Sequence, residues 1–185
     1  EQNVGAVQVH DPFLKRVLVD AFQELWKRFK HRPIGAKDLG AGGISCAASE
    51  LAVAGGFGVE LNLDLVNCSI NNLESQVIAC SETQERFCVV VPRRFSQEVL
   101  DLFNVEFEMP KLYHQAGAAV IGEIIEDQQF RIFHKQNLVC DLPVSFITTE
   151  VLAKRDAAPL HTKQVDEPVF PKLDNLEESL LAVVS

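Results

Sequence analysis

Apolar residues recur at helical spacing from Leu14 to Phe29, at Leu14, Leu18, Ala21, Phe22, Leu25 and Phe29, the stripe that a helix turns toward a core. Asp11-Pro12 marks its start, with Asp as N-cap and Pro at the first helical position. His31-Arg32-Pro33 marks its end, and Trp26 is expected to pack in the core. Gly5 to Val9 reads as a short strand before this helix, and Ile34 to Ala36 as a short buried strand after it. Ile44, Ala47, Ala48 and Leu51 predict a second helix, held between two glycine clusters. Beyond it, Val59, Leu61, Leu63 and Leu65 alternate with Glu60, Asn62 and Asp64, a half-buried strand.

The second half mixes both periods. Leu73 to Ala79 predicts a short helix, and the continuous apolar run Phe87 to Val91 predicts a central strand. Phe95, Val99, Leu102 and Phe103 suggest a further helix, with Val105 to Gln115 irregular. Ala118 to Ile125, Phe130 to Phe133 and Leu138 to Leu142 read as three strands joined by turns at Asp127-Gln128 and Lys135 to Asn137. Val144 to Leu152 closes the pattern as a helix. The predicted fold is α/β or α+β, a mixed sheet with helices packed mainly on one face.

Residues 1–153 therefore form one domain. From Lys154 the composition turns charged and proline-bearing, which predicts a linker, and Leu173 to Val184 predicts the start of a connecting helix, so 154–185 lead toward a second half. The chain opens without Met in a strand pattern, as expected of a piece of a longer polypeptide.

Composition narrows the function. A net charge of −9 over 185 residues argues against general nucleic-acid binding, which depends on neutralising phosphates. Five cysteines without C-x-x-C spacing fit reduced thiols and a cytoplasmic setting. The sequence carries no signal segment and no apolar run near membrane-spanning length, so no membrane role is expected.

Three stretches carry candidate chemistry. Seven of the ten glycines fall between Gly35 and Gly58, and the turn DLGAGG leads from Asp38 into the second helix. A carboxylate beside a glycine turn suits magnesium that also touches phosphate; equally, Asp38 could only cap the turn. The segment Ser81-Glu82-Thr83-Gln84-Glu85-Arg86 lies at the mouth of the predicted central strand, as either a ligand-binding loop or a solvated turn with a Glu85–Arg86 charge pair. Gln8 stands among apolar neighbours just before Asp11 and needs a partner if buried. The five histidines show no metal-ligand spacing.

In this order, VQVHDPF (7–13), KDLGAGGISCAASELA (37–52), SETQER (81–86) and AAVIGEI (118–124) resemble the phosphoribosylformylglycinamidine synthases, also called formylglycinamide ribonucleotide synthetases. The resemblance spans residues 4 to 150. It implies a C-terminal-type domain like that of aminoimidazole ribonucleotide synthetase, in an ATP-dependent carbon–nitrogen ligase of purine biosynthesis. It also implies that Gln8, Glu82, Thr83 and Gln84 contact the substrate and that Asp38 binds Mg2+.

In such enzymes ATP activates the amide oxygen of formylglycinamide ribonucleotide, and glutamine-derived ammonia displaces the phosphate. The catalytic histidine and most ATP contacts would come from an upstream domain. A second half, a glutaminase and a small accessory subunit, or their fused equivalents, would complete the enzyme, and residues 1–185 alone would be inactive. The family usually has Gly at the position of His10 and often Gln or His at that of Lys37. Two rival readings are another ATP-binding member of the same superfamily and a non-catalytic structural copy of the domain.

Overall fold

The structure, a computed structural model, describes residues 11–82 and 85–149. The strand expected at Gly5 to Val9, Gln8 and His10, Thr83 and Gln84, the end of the last helix and the whole of 154–185 lie outside the described residues.

Helix α1 (Pro12–Arg28) begins where the sequence predicts: the Asp11 carboxylate accepts from the Leu14 N–H at 2.9 Å. Leu18, Ala21 and Leu25 are buried at spacings of three and four, so one face is apolar. That face packs with Phe29, Val99, Leu102, Phe103 and Met109 in one core. Val99 lies on α4 (Ser96–Asp101), Leu102 and Phe103 on the π-helical turn Leu102–Glu106, and Met109 on α5 (Met109–Leu112). Trp26 does not join this core. It flanks the buried stripe, touches Phe22 at a ring separation of 6.2 Å and is 45% exposed.

The Asp11 cap has a consequence for acid stability. The Tyr113 hydroxyl and then the Leu14 amide donate to its carboxyl and hold it below the usual aspartate range. A depressed folded value means the contribution is present at neutral pH and is lost as pH falls through that value, below about pH 4. Asp11→Asn is therefore expected to flatten the acid limb of a plot of thermal midpoint against pH. An acid limb as steep as wild type would count against the cap.

The second core belongs to a four-stranded mixed sheet in the order β4–β2–β5–β6, with β2 (Gly58–Asn62), β4 (Gly122–Ile125), β5 (Gln129–His134) and β6 (Asn137–Pro143). The β2–β5 pair is parallel and the other two are antiparallel. Helix α2 (Gly43–Gly55), α3 (Ser75–Cys80) and α6 (Val144–Thr148) complete this core through Ile44, Ala47, Ala48 and Ala52, Ile78 and Ala79, and Val144. They meet Val59, Leu61, Phe130 and Ile132 of the sheet. On the other face Glu60, Arg131 and Asp141 sit in cross-strand register, with Arg131 Nε 3.4 Å from Asp141. Alternation of side chains thus separates an apolar from a charged face, as the GVELN pattern predicts.

Three strands differ from expectation, among them β4, predicted from Ala118 but formed only from Gly122. The strand predicted through Leu65 ends at Asn62, whose side chain accepts from the Asp64 N–H at 3.0 Å and starts the 3₁₀ turn Leu63–Leu65. The apolar run at 87 forms β3 (Phe87–Val90), but among the described residues it pairs only with β1 (Gly35–Asp38), antiparallel. Its apolar character has another cause: Phe87 and Val91 pack on the α1 core, whereas Cys88 packs on the second. Contact with two cores gives the same sequence signal as burial inside a sheet.

Candidate functional site

The β1–β3 pairing builds the site. Its register sets Asp38 opposite Phe87, so the end of β1 meets the end of the 81–86 segment. The Leu39 N–H then donates to the Arg86 carbonyl at 3.0 Å, which ties the two stretches together where the glycine turn begins.

The turn continues through Gly42 and Gly43, at φ 81° and 55°, into α2. Gly42 is the N-cap and provides no side-chain cap to the helix. A Cβ on Gly43 would lie 2.5 Å from the Ser81 carbonyl oxygen and 2.9 Å from the Cys80 carbonyl carbon. The missing side chain is what lets the α2 start rest against the chain leaving α3. Ser45 Oγ adds a bond to the Ala79 carbonyl at 3.1 Å. The end of β1, the start of α2, Ser81 and Arg86 thus share one junction, with α2's positive dipole end beside it.

Asp38 is exposed, and among the described residues its carboxylate has neither a hydrogen-bond nor an ion-pair partner. It lines a shallow groove of roughly 750 Å3 with Lys15, Phe22, Trp26 and Phe87. Lys37 beside it is engaged elsewhere. Its Nζ lies 2.5 Å from Glu50 Oε2, and Glu50 Oε1 accepts from Cys46 Sγ at 3.0 Å. The Glu50 partner raises the Lys37 pKa, and Lys37 in turn lowers that of Glu50. The positive charge next to Asp38 is therefore balanced locally.

Glu82 is exposed just after Ser81, the C-cap of α3. The Glu85–Arg86 charge pair does not form. Glu85 takes a left-handed φ of 56°, which breaks the strand-like alternation. Arg86 Nη1 instead donates to Ser81 Oγ at 3.3 Å, and burial pulls the guanidinium pKa down. Sequence reasoning missed both this arrangement and the Lys37–Glu50 pair, which joins β1 to α2; only Cys46 and Glu50, at i,i+4 on α2, stand at a spacing that the sequence shows.

Among the described residues no three His, Cys, Asp or Glu side chains gather in a way that could hold a metal ion. A lone, unengaged carboxylate beside a glycine turn still fits magnesium, which keeps waters and commonly uses one or two carboxylates together with phosphate oxygens. No described helix is long and apolar enough to cross a membrane.

The mixed sheet, its helix-covered face and the glycine junction define a domain class. Residues 1–135 match the family described as AIR synthase related protein, C-terminal domain, and the chain belongs to that family. It is similar to the phosphoribosylformylglycinamidine synthase subunit PurL of Methanothrix thermoacetophila, 34% identical over 187 residues, taking in 100% of this chain and 24% of that protein. The subunit of the same name from Leuconostoc mesenteroides is 30% identical over 185 residues, covering 98% and 24%.

Among solved structures, T. maritima PurL complexed with ADP has a TM-score of 0.73 at 28% identity, over 95% of this chain and 29% of that one. T. maritima PurL complexed with FGAR gives 0.68 at 29%, over 86% and 25%. The chain spans about a quarter of the length of the curated relatives it matches.

Proposed function

We propose that this domain forms one wall of the active site of an ATP-dependent ligase that converts formylglycinamide ribonucleotide to formylglycinamidine ribonucleotide with glutamine-derived ammonia. The observation that carries this reading is the junction of Asp38, the glycine turn and the 81–86 segment, closed by the Leu39–Arg86 backbone bond. Relatives in complex with FGAR, ATP, ADP and AMPPCP support a site for a phosphorylated amide and a nucleotide. The structure named PurLQS supports accessory partner chains; in this reading they are a glutaminase and a small subunit.

In this reading Asp38 is a Mg2+ ligand, and Gln8, Glu82, Thr83 and Gln84 contact the substrate. Mg2+ would supply charge neutralisation for the phosphoryl group passing from ATP to the amide oxygen. This domain's part is positional. The β1–β3 register sets Asp38 opposite Phe87, and the α2 start adds a positive backbone dipole near the end of β1. Residues 1–153 act as the substrate-side domain and 154–185 connect it to a second half. The catalytic histidine and most nucleotide contacts belong to other domains of a cytoplasmic enzyme.

Asp38→Ala in the full-length polypeptide tests the assignment. A loss of magnesium-dependent turnover of at least about 100-fold is expected, the scale of losing one preorganised electrostatic group, with the thermal midpoint unchanged because the side chain is exposed. Near-normal turnover would remove Asp38 from the site.

A further inference from the structure

Glu85 and Arg86 are adjacent, and each is left in an uncomfortable state. Glu85 Oε2 is cut off from solvent with no hydrogen-bond partner among the described residues. Its backbone at φ 56° is an expensive conformation for a residue with a side chain. Arg86 keeps a largely desolvated guanidinium against the neutral Ser81 hydroxyl, with no carboxylate in ion-pair range among the described residues. An acid and a base this close would ordinarily neutralise each other, because a buried charged group without a partner is costly. Normal strand alternation would send neighbouring side chains to opposite faces, yet both line one broad groove, together with Asn67, Ser69 and Cys88.

We infer that Glu85 and Arg86 form a split polar subsite that is completed by ligand: Glu85 accepts an N–H or O–H of the bound molecule while Arg86 donates to an anionic oxygen of it. This rests on the ligase reading above and extends it by two residues, since formylglycinamide ribonucleotide carries both amide N–H groups and a phosphate. A donor on the bound molecule would satisfy the Glu85 carboxyl oxygen that has no protein partner among the described residues. Arg86 suits an anionic oxygen because its planar fork can give two parallel hydrogen bonds, which a lysine cannot reproduce.

The test uses the full-length polypeptide with its glutaminase and accessory partners, and steady-state kinetics with formylglycinamide ribonucleotide, ATP and ammonium. Glu85→Gln and Arg86→Lys are each expected to raise KM for formylglycinamide ribonucleotide about 10- to 100-fold, the scale of one hydrogen bond to a charged group. KM for ATP should stay within about twofold of wild type, since the pair touches the other substrate. Glu85→Gln should also leave the thermal midpoint of the ligand-free enzyme equal or higher, because it removes a carboxylate oxygen that has no protein partner among the described residues. A merely structural glutamate would behave in the opposite way, with a lower midpoint and an unmoved KM, and that result overturns the assignment. Normal wild-type kinetics with an unmoved KM in both variants would overturn the subsite alone. A wild-type enzyme that does not turn over formylglycinamide ribonucleotide would overturn the ligase reading and the subsite with it.

Discussion

Gly43→Ala is expected to destabilise the domain by about 2–5 kcal/mol, the sum of a left-handed backbone penalty and of overpacking. The steric part comes from backbone on the facing chain. The added methyl would stand 2.5 Å from the Ser81 oxygen and 3.1 Å from the Ala79 oxygen, both backbone atoms that cannot rotate away. Relief requires moving the start of α2 away from the 81–86 segment, so turnover should fall together with stability. Gly56 provides the control. Its φ is 78°, yet a Cβ there meets nothing within 4 Å, so Gly56→Ala should cost only the backbone penalty, about 1–2 kcal/mol. Thermal midpoints of the two variants in the full-length polypeptide compare them directly. Equal losses would show that close approach at Gly43 is unimportant.

Phe130→Ala should be comparably severe, at about 3–5 kcal/mol for a buried Phe that leaves a cavity. Phe130 is 2% exposed on β5, where it pairs with Val59 on one side and Leu142 on the other. It is one of the largest fully buried side chains and belongs to the core that α2 covers. The loss should appear in hydrogen exchange as faster opening of β2, β5 and β6, with the α1 core less affected because its residues form a separate cluster. Uniform loosening of both cores would mean that they unfold as one unit.

The elements read well wherever the signal was local. Asp11-Pro12 fixes the start of α1 because an N-cap and an N1 proline act within one turn, and the observed cap bond is at Leu14. The stripe Leu18, Ala21 and Leu25 predicts the buried face for the same reason. Reading failed where packing between distant elements decided burial, and once where a single local cap outweighed the alternation. β3 was expected at the centre of a sheet, yet its burial comes from two flanking cores. Trp26, expected in the core, lies on the flank of the buried stripe, and apolar character alone does not tell flank from centre. The strand overrun to Leu65 reflects a single side chain, Asn62, whose cap outweighs an unbroken alternation.

The site divides in the same way. Asp38, the glycine turn and SETQER were legible as polar features at element boundaries, because glycine, acid and amide residues interrupt apolar patterns visibly. Only the tertiary structure decided that β1 and β3 pair antiparallel, which joins Leu39 to Arg86 across 47 positions of chain. It also decided that Lys37 spends its charge on Glu50 and that Glu85 and Arg86 stand apart. Strand register and left-handed backbone at a glutamate depend on contacts across the fold, and no local spacing encodes them.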